Sequence, residues 1–443
     1  MNNYDLLIKN GLIVNENSIT KADLAIANGK IIEVSLPIST DKKANKVVDA
    51  DGLYIFPGLI DTHVHINEPG RTNWEGYATG TKSLAAGGVT TFFDMPLNSN
   101  PPTITPLDFE KKKQLAEEKA IINFKLWGGL VPTNINELSA LKECGVIGFK
   151  AFMSASGIDE FQFSNDVALF NGMKEIAKLN SLLAVHAESN VVTQQLTKEC
   201  VEKGDTTAKA FSNARPIDSE IEAVNRILSY AKIIGCKVHI VHASSSKVVQ
   251  VIQEWKKKGV DVSVETCPHY LSLSIDDLEQ IGAVAKCAPP LREKQEIESL
   301  WESVANGEID VIGSDHSPCP TEMKKGNLFE AWGGISGAQS TLNILLEEGY
   351  WERNVPLTTI AKISSSNPAR RFGLFPQKGI ISVGSDADLT IVDINQSFTL
   401  NKEDLYYKHP HSPYIGKKFR GKIMETYVNG ELVFQQKQAE EAK

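Results

Sequence analysis

The sequence of 443 residues has no apolar run approaching the ~18 residues that a membrane span requires. Its N-terminus, MNNYDLLIKNG, has no basic segment leading into an apolar core, so no secretory leader is expected. Positive charge is not in excess. Forty-six Lys and Arg against 55 Asp and Glu give a net charge of −9, which argues against a nucleic-acid partner, because phosphates demand a concentrated basic surface. The six cysteines, Cys144, Cys200, Cys236, Cys267, Cys287 and Cys319, form no C-x-x-C pair. Reduced, mostly buried thiols in a cytoplasmic protein are therefore expected. Two common catalytic motifs are also missing. Gly76-Tyr-Ala-Thr-Gly-Thr-Lys-Ser83 lacks the adjacent Gly-Lys of a phosphate-binding loop, and Gly333-Gly-Ile-Ser-Gly337 lacks the spacing of G-x-S-x-G.

What is present alternates. Apolar, β-branched runs recur at 53–61, 89–95, 122–130, 146–153, 182–188, 237–244, 260–267 and 309–315, with helical patterns between them. Thr105-Pro106 with Asp108 has the chemistry of a helix start, and Gly87 and Gly235 fall where helices are expected to stop. Eight strand-helix units predict a (β/α)8 barrel over 53–375, with a doubly wound sheet as the alternative. Both ends read as β. Short strand-like runs lie at 5–8, 11–14, 23–26, 30–34, 387–392 and 425–428, and Asn429-Gly430 is a hairpin turn. A small composite β-sandwich domain built from 1–52 plus 376–443 is expected.

Only nine histidines occur, yet two of them stand one residue apart at the end of one apolar run, in GLIDTHVHINEPG. On a strand, His63 and His65 project from the same face. His186 ends the run at 182–188, His242 the run at 237–244, and Asp315 the run at 309–315, while Lys150 sits inside the run at 146–153. A barrel strand is buried on both faces, so polar groups gathered at one end of the barrel need a reason. Taken singly, a strand-end histidine is more often a hydrogen-bonded core residue, and Lys150 could be the buried partner of Asp315. Taken together, four imidazoles and a carboxylate suit a divalent metal such as zinc. His239 is left between a structural role and one supporting a ligand. His409 and His411, in a proline-broken tail, are expected at the surface.

Lys150 does not fit a metal site as it stands, because an ammonium has no lone pair to donate. The pattern Asp61-x-His63-x-His65, with Lys150, His186, His242 and Asp315, resembles the cyclic amidohydrolase branch of the amidohydrolase superfamily, along the whole chain. The resemblance implies two divalent metal ions, Zn most readily, with Co, Mn or Fe as alternatives. It implies that carbon dioxide converts Lys150 to a carbamate bridging both ions. His63, His65 and Asp315 would hold one ion, and His186 and His242 the other. It also implies a homotetramer.

Within that branch the pocket distinguishes substrates. Dihydroorotases place an arginine where this chain has Asn67, so a carboxylated ring is disfavoured. Hydantoinases and dihydropyrimidinases place a tyrosine where this chain has Ala155, leaving a metal or a hydroxyl such as that of Ser154 to stabilise the oxyanion. Phe149-Lys-Ala-Phe-Met-Ser154, Lys286-Cys-Ala-Pro-Pro-Leu-Arg292, Ser314-Asp-His-Ser-Pro-Cys319 and Ala331-Trp-Gly-Gly-Ile-Ser-Gly337 resemble the allantoinase group. The implied substrate is allantoin, opened to allantoate, with Asp315 as the proton carrier. Asn67, Ser154, Ala288, Gly333 and Gly334 are the expected substrate contacts. Hydantoinase-type activity is the alternative, and a non-catalytic scaffold a remoter one.

Overall fold

A computed structural model of the protein describes residues 4–38 and 43–436. Residues 1–3, 39–42 and 437–443 of the expected β domain lie outside the described residues.

The first strands are β1 (Tyr4–Val14), β2 (Ile19–Ala27), β3 (Lys30–Ser35), β4 (Ala44–Asp49) and β5 (Tyr54–Pro57). The next nine supply the barrel: β6 (Leu59–Val64), β7 (Val89–Asp94), β8 (Asn123–Leu126), β9 (Gly128–Gly129), β10 (Phe149–Phe152), β11 (Leu182–His186), β12 (Lys237–Ile240), β13 (Val262–Thr266) and β14 (Val311–Ile312). The last three are β15 (Leu389–Thr399), β16 (Lys418–Val428) and β17 (Glu431–Gln435).

The barrel strands pair parallel in chain order. β8 and β9 act as one strand: Trp127 N donates to Asp94 O at 3.0 Å on one side, and Gly128 N to Gly148 O at 3.0 Å on the other. The ring closes where Val64 pairs parallel with His316, with His65 N donating to His316 O at 2.8 Å. A (β/α)8 barrel results, and the doubly wound alternative falls. Helix ends follow local chemistry. Thr105 Oγ1 accepts from Asp108 N at 3.3 Å with Pro106 as the first helical residue, and Gly235 closes its helix in the left-handed conformation at φ 77°.

The expected first barrel strand, 53–61, is two strands. β5 pairs parallel with β1 and antiparallel with β15, so it belongs to the terminal sheet, and the barrel begins at Leu59. Gly58 makes the step between them. A Cβ there would lie 2.1 Å from Thr90 Oγ1, so only glycine lets the chain cross so close to β7. The terminal sheet runs β17-β16-β15-β5-β1-β2-β3, with β4 also on β1. The described N-terminal and C-terminal segments thus share one sheet beside the barrel. Among the described residues, no helix is long and apolar enough to cross a membrane.

Candidate metal centre

β6 is buried at every position, and its alternation sends His63 into the barrel end beside His65. Both Nε2 atoms lie 3.2 Å from the same oxygen, Oδ1 of Asp315. The three side chains form a group able to hold a metal ion. Across the cavity floor, His186 Nδ1 and His242 Nε2 stand 3.0 Å apart. The His63 and His242 rings, 5.5 Å between centroids, link the two groups.

Carboxylates behind the imidazoles aim them. Glu265 on β13 bonds His63 Nδ1 at 2.7 Å, which turns the Nε2 of His63 toward Asp315. Glu188 does the same for His186, bonding its Nε2 at 2.7 Å and leaving Nδ1 for the cavity. This arrangement fixes the tautomer and raises the basicity of a metal-ligating histidine. Glu265 also bonds Thr62 Oγ1 at 2.6 Å and His239 Nε2 at 3.3 Å. His239, deeper in the barrel and against Ser263, therefore supports Glu265 rather than facing the cavity. Asp61 Oδ1 accepts from the backbone N–H of both His63 and Ser314, tying the β6 end to the β14 end where Asp315 sits.

Electrostatics prepare these groups as ligands. Burial lowers the pKa of His65, His186 and His242, so each presents a lone pair. Burial would raise the Asp315 carboxyl, but His63 and His65 outweigh it and hold the group well below the usual range. Two of the six expected ligands also sit in a conformation that side chains avoid: His242 has φ 41° and Asp315 φ 45°. Such backbone costs about 1–3 kcal/mol per residue and persists where its surroundings impose it.

Lys150 is fully buried, and its Nζ has no hydrogen-bond partner among the described residues. It is therefore not the hydrogen-bonded partner of Asp315. Burial pushes its pKa down to about 8, against smaller opposing pulls from Asp315 and Glu265. An amine with a substantial neutral fraction, unspent and among four imidazoles, fits a group that becomes a metal ligand on gaining an anionic carboxylate. The donor set around it (imidazole nitrogen and carboxylate oxygen) suits zinc or a similar divalent ion.

Above the floor opens a cavity of about 620 Å³. Ala288, Gly333 and Gly334 stand in its wall, with Asn98, Ser317 and Arg215. Asn67 and Ser154, expected at the substrate, are not in the wall. Asn67 donates instead to Pro318 O at 3.0 Å, and the Ser154 hydroxyl is sealed off from solvent. His411 corrects another expectation: it is buried, with its ring bonded to Cys319 O at 2.8 Å. His409 is partly exposed and bonds Asn73 O at 2.7 Å. Sequence reasoning missed Glu188, Glu265 and Arg215. The signal for Glu265 was present, since a carboxylate inside the β-branched run Val262-Ser-Val-Glu265 must be paired.

The amidohydrolase family profile matches residues 54–433. An allantoinase of Deinococcus radiodurans is 48% identical over 97% of this chain and 95% of its own length. An allantoinase of Escherichia coli is 41% identical over 97% of this chain and 95% of its own. The structure of an L-hydantoinase (dihydropyrimidinase) from Arthrobacter aurescens is 34% identical, superposes with a TM-score of 0.95, and is matched over 98% of this chain and 97% of that one. With the barrel closed and its polar strand ends gathered at one cavity, these likenesses agree: the chain belongs to the amidohydrolase family, in the branch of hydrolases that act on cyclic amides.

Proposed function

We propose that this chain is an allantoinase with two divalent metal ions, opening the hydantoin ring of allantoin to allantoate in ureide nitrogen catabolism. The observation that carries the ring-opening reading is the convergence of His63, His65, His186, His242 and Asp315 on one cavity floor. The choice of allantoin rests on the higher identity to relatives named allantoinase than to the hydantoinase structure.

His63, His65 and Asp315 would hold one ion and His186 and His242 the other, with Lys150 between them as a carbamate. Neutral Lys150 Nζ forms an N–C bond to carbon dioxide and releases a proton, giving an anion with two oxygens. Bound cations of this kind acidify water and polarise a carbonyl. Asp315 takes a proton from the attacking water as the O–C bond forms at the ring carbonyl. It then delivers that proton to the ring nitrogen as the C–N bond breaks. Glu265 and Glu188 keep His63 and His186 oriented throughout. The backbone at Ala288, Gly333 and Gly334 orients the ring. The enzyme works as a cytoplasmic homotetramer.

The test is a panel of allantoin, hydantoin, dihydrouracil and dihydroorotate on metal-reconstituted protein. Allantoin should give the highest kcat/KM and dihydroorotate the lowest, because no arginine stands at position 67 to hold its carboxylate. Hydantoin turned over faster than allantoin would replace this reading with the hydantoinase one.

A further inference from the structure

Arg215 lies between the helices Ala208–Asn213 and Ile217–Ile234, in the cavity wall. Half of its guanidinium is spent. Nε donates to Glu188 Oε1 at 3.0 Å, and Nη2 pairs with Glu188 Oε2. The other edge is not: Nη1 has no partner among the described residues, and it is not among the polar atoms sealed from solvent. The side chain as a whole keeps 17% of its surface accessible.

The residue is held from two directions. Glu188 fixes the head, and Arg292 fixes the backbone by donating from Nη1 to Arg215 O at 2.7 Å. Arg292 is itself locked by Glu220 at 2.7 Å and Ser244 Oγ at 2.9 Å. A guanidinium immobilised in this way in a cavity wall, with one edge unpaired, is a ready receptor for a carbonyl oxygen. Its place defines which carbonyl. Glu188 and then the His186 ring stand between Arg215 and the imidazole nitrogen that faces His242. Arg215 is therefore set back from the reacting centre, where a substituent on the ring would reach rather than the ring carbonyl under attack. Lys286, another cation in the wall, gives one of its three N–H groups to Ala331 O.

We propose that the open edge of Arg215 binds the oxygen of a urea-type arm on the substrate ring and so selects allantoin over hydantoins that lack such an arm. This rests on the allantoin reading above. The competing role, balancing the charge of Glu188, uses only the spent edge and predicts no such selectivity.

Arg215→Lys separates the two, because it keeps a cation against Glu188 and removes the second edge. The quantity read is the ratio of kcat/KM for allantoin to that for unsubstituted hydantoin, with metal content measured on the same preparation. That ratio should fall by roughly tenfold to a hundredfold, the scale of one hydrogen bond to a charged group. A parallel fall of both substrates, with the ratio unchanged, overturns the inference. Should the variant not fold, the wild-type kcat/KM for allantoin is compared with that for a hydantoin bearing an alkyl arm of equal size. Allantoin should be favoured by a similar factor, and equal kcat/KM values overturn the inference. A wild type that opens hydantoin but not allantoin removes the parent reading with it. A wild type that opens allantoin beside an unchanged ratio in the variant removes this inference alone.

Discussion

The two halves of the proposed metal centre differ in a way that their shared ligand chemistry conceals. In one half an anion already stands at the middle: Asp315 Oδ1 is 3.2 Å from both His63 Nε2 and His65 Nε2. In the other, His186 Nδ1 faces His242 Nε2 at 3.0 Å, Lys150 Nζ has no partner, and the nearby carboxylate, Glu188, lies behind the His186 ring. The first half is closed by its own residues. The second is all nitrogen, and no standard side chain placed there supplies the anion that the proposed bridge requires.

The largest effect should come from breaking the second half. Lys150→Ala is expected to lose activity on the order of 10⁴-fold or more and to retain at most one metal per subunit, by elemental analysis, with the circular dichroism of the barrel unchanged. A short carboxylic acid in solution should restore part of both, and Lys150→Arg should restore neither, since a guanidinium stays protonated. Full metal content and turnover in Lys150→Ala would end the carbamate proposal.

His63→Ala attacks the closed half. Activity should drop on the order of 10³-fold while metal persists at the His186 and His242 side. Loss of both ions together would show the halves to be one cooperative site.

Glu188 tests the support of the open half through pH. Burial would raise its carboxyl, but the charge of Arg215 and the bond from His186 hold it down to about 2, against an ordinary 4.5. The unfolded chain therefore takes up this proton at a higher pH than the folded chain. Stability from Glu188 is complete above pH 4.5 and is lost as pH falls toward 2. At roughly 1.4 kcal/mol per pH unit, that gap amounts to about 3 kcal/mol. Urea unfolding of wild type and Glu188→Gln at a series of acid pH values should show that slope in the wild type only.

The smallest expected effects differ in sign between the halves. In metal-free protein without added carbon dioxide, Lys150→Met should raise stability by about 2 kcal/mol, because a buried amine without a partner becomes a thioether. Asp315→Ala should lower it by roughly 1–3 kcal/mol, because two imidazoles lose their acceptor. Equal signs would erase the contrast between the halves.

How much of this was legible in the sequence follows from how far each cause reaches along the chain. His63, His65, His186, His242 and Asp315 could be found because each ends a local apolar run, and the period of a strand fixes the face. The β5–β6 boundary could not. Residues 53–61 are apolar without a break, and only contacts with β1 and β15, remote in sequence, show that Tyr54–Pro57 leaves for another sheet. β14 lies inside the run expected at 309–315 but is only two residues long, and its short extent depends on β13 and on the Val64–His316 pairing. Glu265 was missed, and its support of His63 has no local signal, since that partner lies 202 residues away. His411 was placed at the surface because Pro410 precedes it, yet the tail folds inward so that its ring meets the Cys319 carbonyl.

The terminal sheet also constrains the order in which the chain can be completed. β5 lies between β1, from the start of the chain, and β15, which begins at Leu389. During synthesis every barrel strand emerges before β15 does. Through that interval one side of β5 offers unpaired backbone N–H and C=O groups immediately before the barrel's first strand. An open strand edge of this kind is a template for pairing with another chain. Fragments ending before residue 389 should therefore aggregate even though they contain all six proposed metal ligands, and a shielding partner would be needed until the C-terminal strands arrive.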